Sequence, residues 1–556
     1  MSSQKQKLLI IGGVAAGTKA AAKAWRENPY LEITVVTKDQ HISYAGCGLP
    51  YYIGGVIREE RELLVKKPED FHVDMGIKVL NLHEALKILP DEKVVIVKDL
   101  VSGKNINMPY DKLLLATGAY PFVPPLEGRE LGNIFTLRTV TDASALKNKL
   151  TGSNLRKAVI IGGGMIGLEI AENLTLLGIK ATVIELALHV LPPFDRDVAL
   201  HLEKHLREKG VEVLTGISVT GFTDNGLGEV GAVITSAGAI KADFAVLSVG
   251  VRPNVELARQ CGINLGTTGA IAVNKKMETN IKDIYAAGDC AENINLITGK
   301  PVWYPMGSNA NKTGRVAAIN LVGDDAGEVL EGVLGTSVVK IFDLKLAKTG
   351  LSARDAIASG YEIETVLVPS PDRAHYYPGS RQIITKLIVE RKNHRVLGAQ
   401  VFGEGTVDKP IDILATAITL GASVEQVAKL DLAYAPPFST AISSTSLAAN
   451  VMINKMQGKF KGVNPIDLKE RMDAGAVLVD IRVEEEYFVR AIPGSINIPL
   501  GELLSRVDEL DRTKGIIFNC KVGLRSYNAL LKLKRLGFAN VSILEGGIAA
   551  YPFETE

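Results

Sequence analysis

Two segments share one order of elements: a strand, a glycine-rich turn, a helix and a second strand. This repeat constrains the fold more than any other feature. The first segment spans residues 7–36 and opens with KLLIIGG, and the second opens with KAVIIGGG at Lys157 and ends at Glu185. In such a unit the two strands lie parallel and the helix crosses between them. Two units in one chain predict an α/β fold with two parallel-sheet nucleotide-binding domains.

The first turn contains Gly12, Gly13 and Gly17. Glycines at such a turn let backbone N–H groups approach a pyrophosphate at the start of a helix. Val14 stands where the usual fingerprint has a glycine, and Thr37 stands where an acidic residue normally ends the second strand. Taken alone, the turn is compatible with a dinucleotide site or with an ordinary tight turn.

The second turn fits the GxGxxG fingerprint through Gly162, Gly164 and Gly167. Glu185 ends the strand that follows, about twenty residues after the turn. A carboxylate at this position accepts hydrogen bonds from a ribose 2′-hydroxyl and repels a 2′-phosphate. The second unit is therefore predicted to bind NADH, with NADPH the less favoured coenzyme.

Composition narrows the function class. A chain of 556 residues needs several domains, and its net charge of +1 argues against a general nucleic-acid or membrane-surface binder. The opening MSSQKQKLLIIGG lacks the pattern of a signal peptide, and no apolar run is long enough to span a membrane. The 4 cysteines lie far apart, which argues against a disulfide framework or a metal site and favours the cytoplasm.

Two further motifs lie in order with the turns: ATGA at 116–119 and AAGDCAE at 286–292. Through these two motifs and the two glycine turns, roughly residues 7–455 resemble the flavoprotein disulfide reductases that bind two dinucleotides. The resemblance implies that the first unit binds FAD, that the second binds NADH, and that Asp289 holds the ribityl chain of the flavin. The implied FAD contacts are Gly12, Gly13, Ala15, Ala16, Gly17, Thr117, Gly118 and Asp289.

The domain order follows from the resemblance and from composition. Strands such as QIITKLIVE are mixed with helices such as DKPIDILATAITLG in an α+β segment, which the resemblance implies is a dimerisation domain. The segment KFKGVNP joins it to a last α/β unit. The predicted domains are FAD-binding at 1–120 and 251–330, NAD-binding at 121–250, dimerisation at 331–455 and a C-terminal domain at 464–556.

Cys47 lies in the segment SYAGCGLPY, where two-cysteine relatives carry a pair. The pattern resembles the single-cysteine branch: coenzyme A disulfide reductases, persulfide-reducing relatives, and NADH oxidases and peroxidases. A lone thiol must cycle through a mixed disulfide or a sulfenic acid. The alternative is a buried structural cysteine, but Gly46 and Gly48 are expected to expose the sulfur. Cys261 and Cys290 are expected to be inert.

Three basic residues, Lys19, Lys23 and Arg26, share one face of the helix after the first turn. A solvated charged face is the ordinary interpretation. The resemblance to coenzyme A disulfide reductases implies instead that these residues and Ser43 bind coenzyme A.

Two tyrosine motifs, HYYPG at 375–379 and AYAPP at 433–437, resemble segments of the dimerisation domain in that branch. There, tyrosines of one subunit of a homodimer reach the redox sulfur of the other. Tyr376, in preference to Tyr377, and Tyr434 are the implied residues, and aromatic packing is the alternative.

The C-terminal segment resembles a rhodanese domain over about 90 residues. It contains Asp480, Arg482 and the loop from Cys520 to Arg525, in the form C-x-x-G-x-R. Backbone N–H groups of such a loop, closed by the arginine, form an anion cradle that stabilises a persulfide. Ala491 and Ile492 replace the common Gly-His, a change expected to have little effect.

These features together predict an NADH-dependent flavoprotein that reduces coenzyme A persulfide, polysulfide or coenzyme A disulfide at Cys47, with Cys520 as a sulfur carrier. A fused persulfide carrier favours the persulfide as substrate over the disulfide. Two alternatives remain open: an NADH oxidase or peroxidase, and a sulfur-relay protein that passes persulfide to a partner enzyme.

Overall fold

The computed structural model describes residues 5–152, 154–323 and 327–556, so the first four residues considered for a signal peptide lie outside it. The described chain forms two compact units. One contains the residues up to Leu186 and Ile217–Val333, and the other contains Ala187–Gly216 and Leu334–Glu556. The elements up to residue 152 are β1 (Lys7–Ile11), α1 (Ala15–Glu27), β2 (Glu32–Val36), α2 (Leu49–Ile53), α3 (Pro68–Met75), β3 (Lys78–Leu80), β4 (His83–Leu89), β5 (Val94–Asp99), β6 (Asn105–Pro109), β7 (Lys112–Leu115), β8 (Ala119–Pro121), β9 (Ile134–Thr136) and α4 (Val140–Leu150).

The middle of the chain contributes to both units, since α6 and β12 belong to the second and the other elements to the first. The elements are β10 (Lys157–Ile161), α5 (Met165–Leu176), β11 (Lys180–Glu185), α6 (Arg196–Glu208), β12 (Glu212–Thr215), β13 (Val219–Asp224), β14 (Val230–Thr235), β15 (Gly238–Lys241), β16 (Phe244–Leu247), β17 (Val251–Pro253), α7 (Glu256–Gln260), β18 (Ile284–Ala286), β19 (Asn293–Ile294), β20 (Pro301–Val302) and α8 (Gly307–Val322).

The rest of the chain belongs to the second unit. Its elements are β21 (Ser337–Ile341), β22 (Leu344–Gly350), α9 (Ala353–Ala358), β23 (Ile363–Pro371), β24 (Gln382–Glu390), β25 (Val396–Gly403), α10 (Asp408–Thr419), α11 (Val424–Ala428), α12 (Ser444–Met456), β26 (Gly462–Val463), α13 (Leu468–Asp473), β27 (Val477–Asp480), α14 (Glu484–Val489), β28 (Ile496–Asn497), β29 (Ile516–Asn519), α15 (Leu524–Arg535) and β30 (Val541–Leu544).

The first predicted βαβ unit forms the centre of a parallel sheet with strand order β18-β7-β1-β2-β3. Leu8 and Ile10 of β1 pack into the core on one face, and Leu9 and Ile11 pack into the core on the other. A strand buried on both faces is apolar at consecutive positions, which explains the run KLLII. The antiparallel strands β4-β5-β6 form a separate small sheet in the same unit.

The second predicted βαβ unit is also confirmed. Strands β11, β10, β16 and β9 are parallel neighbours in that order. Strands β13, β14 and β15, which lie between β11 and β16 in the sequence, form an antiparallel meander. The prediction of two parallel-sheet domains therefore holds.

The second unit contains two further sheets. An antiparallel sheet has the order β21-β22-β25-β24-β23, and a parallel sheet has the order β26-β30-β29-β27-β28. The predicted strands and helices of the α+β segment are present in β21, β24, β25, α10 and α11. The predicted C-terminal α/β unit is present in the parallel sheet with its helices.

A buried charge cluster ties together distant segments of the second unit. The Lys386 ammonium lies 2.7 Å from both carboxylate oxygens of Asp197 and 3.0 Å from Asp195, and its side chain is only 4% exposed. The Asn464 amide donates to Asp197 at 2.8 Å, and the Gln400 amide donates to Asp195 at 2.7 Å. Burial alone would lower the pKa of Lys386, but Asp197 and Asp195 outweigh it and raise that pKa.

Among the described residues, no helix is both long enough and apolar enough to cross a membrane.

Replacing Lys386 with Met should destabilise the protein by about 3–5 kcal/mol, because two buried carboxylates lose their counter-charge. Chemical denaturation of the variant measures the change. Lys209→Met is the matched control: Lys209 pairs with Asp343 at the surface, where a pair is worth at most about 1 kcal/mol. Equal midpoints for the two variants would show that the cluster does not stabilise the fold.

Candidate functional site

The first glycine turn is a point of close backbone contact. Gly12 has φ +116°, and a Cβ there would lie 2.0 Å from the Ala116 carbonyl oxygen. A Cβ on Gly17 would lie 1.9 Å from the Gly12 oxygen, and one on Gly288 would lie 2.8 Å from the Ala16 side chain. The turn, the ATGA segment and the GD motif are thus brought together at the carboxyl ends of β1, β7 and β18, the edge where parallel sheets bind nucleotides. The residues assembled there include Gly12, Gly13, Ala15, Ala16, Gly17, Thr117, Gly118 and Asp289.

The two departures from the fingerprint leave this turn intact. Val14 occupies the N-cap of α1. In the second turn the corresponding residue is Gly164, and a Cβ there would meet no protein atom within 4 Å. Protein packing therefore requires a glycine at neither position. Thr37 is buried and its methyl group packs beside Gly13.

The second turn repeats the geometry of the first. A Cβ on Gly162 would lie 2.2 Å from the Ser248 oxygen, and one on Gly167 would lie 2.1 Å from the Gly162 oxygen. The Glu185 carboxylate accepts a hydrogen bond from the Gly163 N–H at 2.7 Å. The acidic group is thereby held against the turn, and the open space beside Gly164 suits the close approach of a dinucleotide.

Asp289 has a partner that the sequence analysis missed. Arg138, in the segment before α4, lies 2.8 Å from the Asp289 carboxylate. The Trp303 indole N–H donates to the Asp289 carbonyl oxygen at 2.9 Å. The 151 residues between the two charges leave no local signal that could have revealed this pair.

Cys47 is exposed and lies in a 3-10 turn, Gly46–Gly48, that leads into α2. The two flanking glycines differ in role. Gly46 is open, whereas a Cβ on Gly48 would lie 2.8 Å from the Leu63 side chain. Packing against Leu63 accounts for the glycine at position 48. Of the two glycines, Gly46 is therefore the one that leaves space beside the sulfur.

Carboxylates surround the Cys47 thiol. Desolvation by the surrounding protein is the largest effect on the pKa of Cys47 and raises it. The charge of Glu169 raises this pKa further, whereas Arg138 lowers it. The Tyr51 hydroxyl donates to Glu169 at 3.2 Å. Burial and the same carboxylate raise the pKa of Tyr51. Both effects disfavour the thiolate, and positive charge brought near Cys47 would favour it.

The residues predicted to bind coenzyme A lie on or beside α1. Lys19 and Arg26 are exposed, whereas Lys23 forms an ion pair with Glu27 one turn along the helix. Ser43 has φ +47°, rare for a residue with a side chain. Its N–H donates to the Gly13 oxygen at 2.8 Å, which ties it to the turn that starts α1.

The structure separates the two candidate tyrosines of the HYYPG motif. The neighbouring Tyr434 phenol raises the pKa of Tyr376. Tyr376 is 66% exposed and Tyr434 is 50% exposed. Tyr377 instead closes a backbone turn, donating its N–H to Ala374.

Cys520 follows β29 and is buried at the start of the loop that leads into α15. The Gly523 N–H donates to its sulfur at 3.1 Å. Arg525 makes two hydrogen bonds to Glu486 on α14, at 2.6 and 2.8 Å. The C-x-x-G-x-R pattern predicts that Arg525 closes the loop, but no motif indicates its pairing with Glu486.

Asp480 and Arg482 form a buried pair that shapes the segment around α14. The Arg482 guanidinium donates to both carboxylate oxygens of Asp480 and to the carbonyl oxygens of Glu486 and Arg490. The Asn519 amide donates to Asp480 at 2.8 Å. With its donors directed at protein acceptors, Arg482 is placed to support the loop.

The other two cysteines have ordinary environments. Cys290 is buried, and its thiol donates to the Leu115 and Ala287 oxygens. Cys261 donates to the Ala258 oxygen at 3.4 Å, and burial raises its pKa.

Known proteins resemble this chain over most or all of its length. A protein of Pyrococcus horikoshii named NAD(P)H coenzyme A polysulfide/persulfide reductase is 36% identical over 81% of this chain and 99% of its own. A Methanocaldococcus jannaschii protein named NADH oxidase is also 36% identical, over 82% of this chain and 100% of its own. The solved structure of an NAD-dependent persulfide reductase from A. fulgidus superposes with a TM-score of 0.93 at 41% identity, covering 98% of this chain and 100% of that one.

Three family matches divide the chain. Residues 336–445 match the dimerisation domain of the pyridine nucleotide-disulphide oxidoreductases, and residues 464–552 match the rhodanese-like domain. Residues 6–301 match the pyridine nucleotide-disulphide oxidoreductase family itself. The chain therefore belongs to the pyridine nucleotide-disulphide oxidoreductases and carries a rhodanese-like domain at its C-terminus.

Proposed function

We propose that this protein is an NADH-dependent flavoprotein that reduces coenzyme A persulfide, polysulfide and coenzyme A disulfide through Cys47, and that Cys520 carries sulfur in the rhodanese-like domain. One observation carries the proposal: a single exposed cysteine beside the first dinucleotide turn occurs in the same chain as a buried cysteine whose sulfur accepts a loop N–H. The persulfide reductase from A. fulgidus, similar over the full length, supports it.

The two glycine turns assign the coenzymes. The turn at Gly12–Gly17 and Asp289 would hold FAD, and the turn at Gly162–Gly167 with Glu185 would hold NADH. When bound, the flavin supplies the two-electron link between the dinucleotide and the thiol. In the Arg138–Asp289 pair, the Arg138 guanidinium lies 2.8 Å from the Asp289 carboxylate and orients it.

Cys47 performs the sulfur chemistry. Its thiolate attacks the inner sulfur of coenzyme A persulfide, forming a mixed disulfide with coenzyme A and releasing hydrosulfide. Attack on coenzyme A disulfide gives the same mixed disulfide and releases one coenzyme A thiolate. Two electrons, originating in NADH, then cleave the mixed disulfide and return both thiolates. Both substrates converge on one protein-bound species, so one cysteine serves both.

Tyr376 and Tyr434 are proposed to donate hydrogen bonds to the departing thiolate. Both side chains are exposed, and Tyr434 lies near enough to raise the pKa of Tyr376, so both are available to a neighbouring molecule. We propose a homodimer in which these tyrosines meet Cys47 of the other subunit, in keeping with the dimerisation domain at 336–445.

Coenzyme A is proposed to lie along α1. Lys19 and Arg26 offer exposed positive charge to its phosphates. Lys23 would leave its ion pair with Glu27 to bind a phosphate of coenzyme A. Ser43 would contact the thiol-bearing arm of coenzyme A that reaches Cys47. The 4 free cysteines suit a reducing compartment, and we propose a cytoplasmic location.

The NADH oxidase activity is the second candidate, because a 36% identical relative carries that name. A thiol cycling through sulfenic acid would serve it. The fused rhodanese-like domain favours the persulfide, since oxygen reduction has no use for a sulfur carrier. Comparing NADH consumption with coenzyme A persulfide, coenzyme A disulfide, oxygen and peroxide tests the choice.

Cys47→Ser should abolish persulfide and disulfide reduction while NADH still reduces the bound flavin, because electrons reach the flavin before the thiol is needed. Stopped-flow absorbance and steady-state turnover measure the two steps. Cys261→Ser is the control and should behave as the unmodified protein. Acceptor turnover above a few per cent in Cys47→Ser would place the redox centre elsewhere.

The unmodified protein should prefer NADH to NADPH by more than about tenfold in kcat/KM, because about 1.4 kcal/mol of repulsion between Glu185 and a 2′-phosphate suffices for that ratio. Glu185→Gln should narrow the preference while keeping an acceptor at the turn. Equal use of both coenzymes by the unmodified protein would refute the assigned role of Glu185.

Cys520→Ser should eliminate sulfur transfer from thiosulfate or polysulfide to a thiol acceptor and leave coenzyme A disulfide reduction near normal. The reason is that a small diffusing disulfide reaches Cys47 without the carrier. Both activities are measured on one preparation, so that misfolding is detected. Unchanged sulfur transfer would mean that the C-terminal domain is catalytically silent.

A further inference from the structure

Lys455, at the end of α12, lies outside the rhodanese-like domain yet contacts it. Its ammonium donates to the Thr365 carbonyl oxygen at 2.7 Å and lies 2.8 Å from the Glu364 carboxylate, both on β23. Its third partner is the carboxylate of Glu545 in the rhodanese-like domain. A lysine ammonium has three donors, and all three are used here.

Glu545 is deeply buried, with 3% of its surface exposed. Its second oxygen accepts a hydrogen bond from the Leu367 N–H of β23 at 3.3 Å. Burial raises the pKa of Glu545, and Lys455 only partly offsets the rise. Burial would lower the pKa of Lys455, but the charges of Glu545 and Glu364 outweigh the effect of burial, and the pKa is raised. The carboxylate therefore depends on this lysine for its charge.

The turn that follows Glu545 is pressed against the Cys520 loop at Gly547, while Gly546 packs against Pro369 of β23. Gly547 has φ +59°, and a Cβ there would lie 2.2 Å from the Cys520 carbonyl oxygen. The next two amides donate to the loop: Ile548 N–H to the Cys520 oxygen at 2.9 Å and Ala549 N–H to the Lys521 oxygen at 3.2 Å. A continuous path of contacts thus runs from β23 through Glu545 to the sulfur loop.

These two hydrogen bonds set the direction of two loop amides. In a planar trans peptide the C=O and N–H groups point in opposite directions. Fixing the carbonyl groups of Cys520 and Lys521 toward the 547–549 turn therefore directs the N–H groups of Lys521 and Val522 away from it. Those N–H groups belong to the loop that follows the Cys520 sulfur.

We propose that Lys455 is a positioning residue for Cys520: by holding Glu545 in place, it orients the Lys521 and Val522 amides that stabilise negative charge on the sulfur. The proposal rests on the sulfur-carrying role proposed for Cys520. Without Lys455, the buried carboxylate of Glu545 would protonate or move toward water. Either change would disturb the turn and release the loop.

The test compares Lys455→Met with Lys459→Met, a matched control at an exposed position on the segment after α12. Lys455→Met should lower the kcat of sulfur transfer at least about tenfold, as loss of an oriented N–H donor does, with little change in KM. Iodoacetamide alkylation of Cys520 is followed by mass spectrometry of its peptide. The pH profile of this alkylation should move to higher pH, because the thiolate is less stabilised. Lys459→Met should change none of these.

Two further variants separate positioning from general damage. Lys455→Arg keeps the charge and should recover part of the activity. Lys455→Met combined with Glu545→Gln should be less impaired than Lys455→Met alone, because no buried carboxylate remains unpaired. If Lys455→Met fails to fold, Glu545→Gln alone should show a smaller loss in the same direction.

Two outcomes are distinguishable. A folded Lys455→Met that transfers sulfur and alkylates Cys520 as the unmodified protein does would overturn the positioning role. A Cys520→Ser variant that still transfers sulfur would overturn the proposed function, and the alkylation profile of Lys455→Met would still decide whether Lys455 orients the loop.

Discussion

The first unit depends on the contact between the backbone of a strand and the backbone of the helix that follows it. In both βαβ units a Cβ on the last glycine of the turn would lie about 2 Å from the carbonyl oxygen of the first, at 1.9 Å in one and 2.1 Å in the other. Only glycine permits such an approach. The contact holds the start of each helix at the carboxyl edge of its sheet, where the first N–H groups of a helix can bind an anionic ligand.

Opposing charges meet at the Cys47 site. Glu169 raises the pKa of the thiol and Arg138 lowers it, while Asp289 engages Arg138 directly. Any group that draws Asp289 away from Arg138, or brings positive charge toward Cys47, would favour the thiolate. Reactivity of the cysteine is thus linked electrostatically to the residues proposed to hold the coenzymes, and does not reside in the cysteine loop alone.

The second unit places two nearly buried lysines between carboxylates from distant segments. Lys386 joins Asp195 and Asp197, and Lys455 joins Glu364 and Glu545. A buried charge without a partner is strongly unfavourable, so each cluster forms only when its segments are in register. The clusters also join the rhodanese-like domain to the rest of the unit, because Glu545 pairs with Lys455 and Asn464 donates to Asp197.

Local patterns were sufficient for much of the fold. The runs KLLII and KAVII with their glycine turns predicted two parallel sheets, because apolar periodicity and glycine geometry act over a few residues. The sequence also located both cysteine loops and the tyrosine motifs. It did not distinguish Gly46 from Gly48, because the difference lies in contact with Leu63. It favoured Tyr376 over Tyr377, but it could not show that Tyr434, from a separate motif, lies near Tyr376.

The sequence by itself determined the family, the order of elements and the residue types available for chemistry, since each depends on residues at short spacings along the chain. Only the tertiary structure decided which charges meet. Arg138 with Asp289, Arg525 with Glu486 and Lys455 with Glu545 are each separated by tens of residues or more. Electrostatic attraction depends on distance in space, and that distance is set by how the sheets and helices pack.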